Sequence, residues 1–237
     1  MPDLPTKLRS WYQGLLDFVY PPLCLGCGGF VEDYQPICQA CTDAIQRFDN
    51  PICLNCWQPV TQGAECLQCG PESFVLFAYG DYSEPLTEIV IHYKFKGILA
   101  PAEIIATRLY EQFADRLDLA EADCLMPIPL HPAREQARGY NQATVLADRL
   151  ARHLDLPVVD NLLYRFRRRR PQARLTGAAR ARNIVGVFAV DDIPIEHYRA
   201  ILVDDVVTSG ATVFEARRVL REVGISVPAV ISMAHGV

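Results

Sequence analysis

Ile201-Leu202-Val203-Asp204-Asp205-Val206-Val207-Thr208-Ser209-Gly210-Ala211-Thr212 is the stretch that decides the fold of this 237-residue chain. Ile201, Leu202 and Val203 form a continuous apolar run, the pattern of a strand buried on both faces of a parallel sheet. The run stops at two adjacent acids, Asp204 and Asp205. Small residues follow as far as Thr212, and a helical pattern then spans 213–223. A strand, a turn of small residues and a helix start leave backbone N–H groups pointing outward, and Gly210 lets a ligand approach closely. That turn suits an anion. The acids before it repel a phosphate but can hold sugar hydroxyls or a metal. The stretch therefore reads as a sugar-phosphate site, with the acids on the ribose and the turn on the 5′-phosphate. The bland alternative is an ordinary parallel strand with a polar end.

A chain of this length holds one large domain, or a medium one with a small one. Its net charge of −5 argues against general coating of nucleic acid but leaves room for a local basic patch. No apolar stretch approaches the ~20 residues of a membrane helix. The apolar N-terminal run from Leu15 to Tyr20 is broken by Asp17, which is not the pattern of a signal peptide. The expected location is the cytoplasm.

Eight of the nine cysteines form four C-x2-C pairs: Cys24/Cys27, Cys38/Cys41, Cys53/Cys56 and Cys66/Cys69. In a reducing compartment such pairs bind metal rather than form disulfides. The spacing is an internal repeat of a zinc ribbon, in which two knuckles complete a closed tetrahedral site of four thiolates. A closed site leaves no position for water, so the two zincs are structural. Spacing favours Cys24, Cys27, Cys38 and Cys41 on one ion and Cys53, Cys56, Cys66 and Cys69 on the other; interleaved pairing stays open. Trp57 reads as packing for a module with little core of its own, and Cys124 as a buried apolar filler.

Upstream, Leu8, Trp11, Tyr12, Leu15, Leu16 and Val19 recur at helical spacing over 5–20, before Pro21 and Pro22. The composition changes near residue 72, which divides the chain into 1–72, a helix with a double zinc ribbon, and 73–237, an α/β domain. In that second part the pattern predicts a strand over 74–82 and helices over 85–95 and 100–117. It then predicts strands over 124–130 and 157–163 around a helix at 142–153, and a last strand over 228–233. Lys94 and Lys96 read as ordinary charges at a helix C-terminus. Residues 165–182 hold eight arginines and no acid, so the rest of the chain carries −5 − 8 = −13. Pro171 and Gly177 interrupt any helix there, and the segment reads as a basic loop that needs an anion.

The strand-acid-turn stretch resembles the signature of type I phosphoribosyltransferases, which bind phosphoribosyl pyrophosphate (PRPP). The resemblance widens to the ComF family through further stretches. These are the cysteine pairs, His92-Tyr93-Lys94-Phe95-Lys96-Gly97, Pro127-Ile128-Pro129-Leu130-His131, Arg138-Gly139-Tyr140-Asn141-Gln142, and the Arg180/Arg182/Asn183/Gly186/Phe188 segment. It implies a type I phosphoribosyltransferase-like parallel sheet flanked by helices behind a small double zinc ribbon. It also implies PRPP with Mg²⁺ as ligand, with Asp204 and Asp205 on the ribose and Val206, Val207, Thr208, Ser209, Gly210, Ala211 and Thr212 around the 5′-phosphate. The loop over 128–134, with His131 and Arg134, takes the pyrophosphate, and the arginine segment, Arg182 included, closes as a lid. The family is associated with uptake of transforming DNA, which makes single-stranded DNA or competence proteins candidate partners. The alternative is an active phosphoribosyltransferase of nucleotide metabolism with an unidentified nitrogen acceptor. The turn reads Thr-Ser-Gly-Ala-Thr where relatives carry Thr-Thr-Gly-Thr-Thr or close variants, and Ser209 keeps the hydroxyl.

Overall fold

The computed structural model describes residues 21–31, 34–118, 121–166, 186–190 and 198–236. The helix expected over 5–20 and the arginine segment beyond Phe166, with Arg182, lie outside the described residues. In chain order the elements are α1 (Gln39–Ala44), β1 (Ile52–Cys53), β2 (Val75–Asp81), α2 (Leu86–Phe95), α3 (Ala100–Asp118), β3 (Cys124–Pro127), α4 (Pro132–Arg138) and α5 (Gln142–Leu154). They continue with β4 (Leu163–Arg165), β5 (Phe188–Val190), β6 (Arg199–Val207), α6 (Ala211–Glu222) and β7 (Ser226–His235).

The main sheet has the order β1-β2-β7-β6-β3. β2, β7, β6 and β3 are parallel, and β1 adds antiparallel to the edge of β2. Side chains alternate between its faces. Val75, Phe77 and Tyr79 of β2 join Ile201 and Val203 of β6 in one core, while Leu76 and Ala78 join Ala200 and Leu202 in the other. Burial on both faces is why these strands read as unbroken apolar runs rather than as alternation. Ile105, Leu109 and Phe113 of α3, with Leu146 and Leu150 of α5, cover the first face; Val213, Ala216 and Leu220 of α6 cover the second. Among the described residues no helix is long and apolar enough to cross a membrane.

Three details differ from the sequence expectations. Strand β6 does not stop at the acids: pairing with β7 continues through Asp204↔Ser232 and Val206↔Ala234 to Val207↔His235, so the acids project from within a strand. β3 ends at Pro127 rather than at residue 130. Ile128 still donates to the Val203 carbonyl at 2.8 Å, but Pro129 has no N–H to extend the ladder, and His131 and Pro132 then start the unanticipated helix α4. The strand expected over 157–163 is split. Leu125 donates to Pro157 and accepts from Val159, a brief parallel bridge, after which the chain leaves and pairs again only at β4 with β5.

These connections place a crevice. From β3 the chain passes through α5, on the first face, and returns outside β3 at Val158. From β6 it passes through α6, on the second face, and returns on the other side, as β7. The windings diverge between β3 and β6, and ligands of open α/β sheets bind at the carboxyl ends of strands at such a switch point. Asp204 and Asp205 lie there.

The cysteine-rich module is built into this sheet. Leu54, directly after β1, donates to the Phe74 carbonyl at 2.8 Å and is 2 % exposed, in one cluster with Leu76, Phe74 and Phe214. Leu54→Ala should therefore cost about 2–4 kcal/mol of whole-chain stability, read from the urea unfolding midpoint. A midpoint unchanged from wild type would mean that the module and the sheet do not share a core.

Candidate functional site

The cysteines sort into two tetrads, Cys24/Cys27/Cys38/Cys41 and Cys53/Cys56/Cys66/Cys69, each with its sulfurs within 4.8 Å of one another. The pairing is local, not interleaved. The Sγ separations of 3.9 Å (Cys27–Cys38) and 3.7 Å (Cys56–Cys66) match the edge of about 3.8 Å that a tetrahedron of 2.3 Å zinc–sulfur bonds requires. Backbone N–H groups of Gly26 and Cys38 donate to Cys24 Sγ, and Gly29 donates to Cys27 Sγ. A side chain at Gly26 would meet Cys41 Sγ at 2.9 Å, so the knuckle closes only around a glycine. Burial and the crowding thiols push Cys69 up to about 12, while the Cys69 and Gln68 N–H groups hold Cys66 at about 7. Four thiols this close cannot all ionise without a cation among them, and the set fits structural Zn²⁺.

At the switch point, Asp204 Oδ1 accepts from the Asp205 N–H at 2.8 Å, and Lys94 Nζ pairs with Asp205 Oδ1 at 2.8 Å. Burial and the neighbouring Asp205 carboxylate push Asp204 up to about 7, against the pull of Lys94 and Arg165. Lys94 is thus part of the site rather than an ordinary helix-end charge. The two elements that bring it there are far apart in sequence, and no local pattern signals the pairing. Tyr93 beside it is fully buried and donates to the Gln142 carbonyl at 2.6 Å, which fixes the end of α2 against the start of α5.

Beyond the acids, Thr208 and Ser209 are exposed, and Gly210 starts α6 from a left-handed conformation with φ 71°. A Cβ there would be strained by φ and would lie 3.1 Å from the Phe214 ring. The first turn of α6 leaves N–H groups without intrahelical acceptors, and Gly210 offers no side chain to cap them. A small cradle runs from Asp204 and Val206 through Thr208, Ser209, Gly210, Ala211 and Thr212 to Val213. Val207 differs from its neighbours. Its side chain is 2 % exposed, and its carbonyl accepts from Gly236 and lies 2.9 Å from His235 Nδ1. Trp57 of the second ribbon stacks on that histidine at 5.5 Å.

Of the pyrophosphate candidates, His131 caps α4, its Nδ1 accepting from Ala133 at 3.2 Å. Arg134 is exposed one turn into that helix, across a cleft from Lys94. The described base of the arginine segment is the β4–β5 ribbon, where Arg165 lies 5.4 Å over the Phe188 ring.

The double zinc ribbon domain family matches residues 15–70. Competence protein F of Haemophilus influenzae is 31% identical over 214 residues, which cover 85% of this chain and 92% of that protein. DNA utilization protein YhgH of Escherichia coli is 30% identical over 206 residues, 84% of this chain and 87% of that one. Among solved structures, adenine phosphoribosyltransferase of Leishmania tarentolae aligns over 68% of this chain and 91% of its own, at 12% identity and a TM-score of 0.39.

Asp204 makes stability depend on pH in a definite direction. Folded, it titrates near 7; in an unfolded chain an aspartate titrates near about 3.9. Between those values the native state keeps a proton that the unfolded state has lost, so stability falls as pH rises and the penalty is complete above the folded value. In urea unfolding, Asp204→Asn should match wild type near pH 4 and exceed it near pH 8 by on the order of 1–2 kcal/mol. Equal differences at both pH values would contradict a raised Asp204.

Proposed function

The chain belongs to the ComF family, and on that premise we propose that it binds PRPP with Mg²⁺ at the acid pair and cradle and serves the uptake of transforming DNA from the cytoplasm. The observation that carries the ligand is the juxtaposition at the switch point. Two carboxylates that suit ribose hydroxyls stand directly before an uncapped helix start that suits a 5′-phosphate. Asp204 and Asp205 hold the sugar, and the N–H groups and hydroxyls from Thr208 to Thr212 hold the phosphate. His131 and Arg134 face the pyrophosphate, whose charge a bound Mg²⁺ would screen from the acids. Arg182 and its neighbours close over them. In this reading the chain divides after residue 72, with the zinc ribbons supporting the binding domain. The DNA role draws on the relatives' names, which speak of competence and DNA utilization.

Turnover is the second reading, and one observation favours it. Asp204, held near 7, can accept a proton at neutral pH. A nitrogen acceptor would bond to ribose C1 as the bond from C1 to pyrophosphate breaks, with the acceptor's proton passing to Asp204. Positioning and charge stabilisation supply the rest of such a reaction.

Calorimetry with PRPP and Mg²⁺ tests the ligand. The double variant Asp204→Asn/Asp205→Asn should stay folded and bind at least about tenfold more weakly, and Thr212→Ala should lose about 1 kcal/mol. Unchanged affinity in the double variant would place the ligand elsewhere.

The DNA role is tested by salt dependence. About five phosphate contacts give a slope near −3.5 for log K against log salt on single strands. Replacing Arg167, Arg168, Arg169 and Arg170 by glutamine should flatten it to about −0.7 while leaving PRPP affinity intact. Wild-type protein that binds no single-stranded DNA even at low salt would remove the arginine segment as a clamp.

A further inference from the structure

Phe95, the last residue of α2, is 70% exposed, an unusual setting for a phenylalanine beside a cluster of charges. Arg138 of α4 lies over one face of its ring, 5.1 Å from the centroid. The ring forms one wall of a cleft of about 550 Å³ between the end of α2 and α4, lined by Lys94, Phe95, Ala133, Arg134, Ala137 and Arg138. That volume is in the range of small-molecule sites. Lys94 lines the cleft and also pairs with Asp205, so the cleft opens beside the acids proposed to hold the ribose.

The chemistry of the lining is specific. Its apolar part is a flat ring and two alanine methyls, which admit a thin planar group and give it a surface to stack on. Its polar side chains end in one ammonium and two guanidiniums, all donors. An edge with two adjacent acceptors, such as O6 and N7 of an oxopurine, satisfies them, whereas the amino group of an aminopurine at the same place sets a donor against donors. A site built to hydrogen-bond in one sense discriminates strongly against the opposite sense.

We propose that this cleft is the nucleobase subsite, taking a planar, carbonyl-bearing heterocycle stacked on Phe95 and hydrogen-bonded by Lys94 and Arg138, with Arg134 at its pyrophosphate side. The subsite rests on the sugar-phosphate reading of the acids and cradle, and it names the base that accompanies that sugar. An oxopurine fits; an aminopurine does not.

Calorimetry with three probes separates the two claims. Ribose 5-phosphate reports the acids and cradle alone. Inosine monophosphate adds a carbonyl-bearing base, and adenosine monophosphate replaces that carbonyl by an amino group on the same ring system. Stacking and hydrogen bonding should make inosine monophosphate bind about tenfold or more tightly than ribose 5-phosphate, with adenosine monophosphate gaining much less. Phe95→Ala should erase the gain and leave ribose 5-phosphate affinity unchanged, and Phe95→Tyr should restore it. Because the ring is exposed, the alanine variant keeps its fold. If ribose 5-phosphate binds and inosine monophosphate binds no better, or if Phe95→Ala keeps the full gain, the cleft is not the subsite. Equal binding of the two nucleotides overturns the carbonyl preference. If ribose 5-phosphate itself does not bind, the sugar-phosphate reading fails and the subsite falls with it.

Discussion

Strand β6 is hydrogen-bonded on both sides, to β3 through Ala200–Val203 and to β7 as far as Val207, and the position of every group in the site follows from that pairing. The apolar half of the strand is buried on both faces, at about 1.5–3 kcal/mol for each large side chain, and cannot slip by a residue without exchanging its faces. The register therefore carries Asp204 and Asp205 to a fixed place at the carboxyl end of the sheet. It also brings Ile128, at the mouth of the loop from β3, against Val203. The acids keep the extended backbone that their neighbours impose, although their own preference is for turns.

The cysteine module supports the same corner. Leu54 and Phe214 pack around Gly210, Trp57 stacks on His235, and His235 meets the Val207 carbonyl directly before the cradle. Farther along α6, Arg217 donates to the carbonyls of Glu72 and Ser73 and lies 4.7 Å over the Phe74 ring, while Arg221 grips the Glu72 carboxylate with both nitrogens. The helix that presents the cradle is thus held by the second ribbon at its start and by the segment that follows the ribbon farther along. Thiolate ligation supplies folding energy to a segment with little core of its own, and these contacts pass that rigidity to the cradle.

Electrostatics at the switch point are asymmetric. Asp205 has a cation at 2.8 Å, and Asp204 has burial and a neighbouring carboxylate. Adjacent residues of a strand point to opposite faces, so the ion pair with Lys94 is made by Asp205 and not by Asp204. One is fixed as a counter-ion to Lys94, and the other is left sensitive to whatever enters the crevice.

The sequence by itself determined the ribbon cysteines, the parallel class of sheet, the helices at 85–95, 100–117 and 142–153, and the acid-turn stretch. Each of these is a local signal: a fixed spacing, an unbroken apolar run, a helical period, or a turn of small residues. Tertiary structure alone decided which cysteines share a tetrad, because sulfurs group by distance and the spacing allows more than one grouping. It alone carried the strand past Asp205, because ladder bonds to β7 outweigh the turn preference of an acid pair. It alone set Lys94, at a helix end, against Asp205, and recruited Trp57 and His235 behind the cradle. Those pairings join segments far apart in the chain, and a period or a spacing read along the sequence holds no record of what lies across a fold.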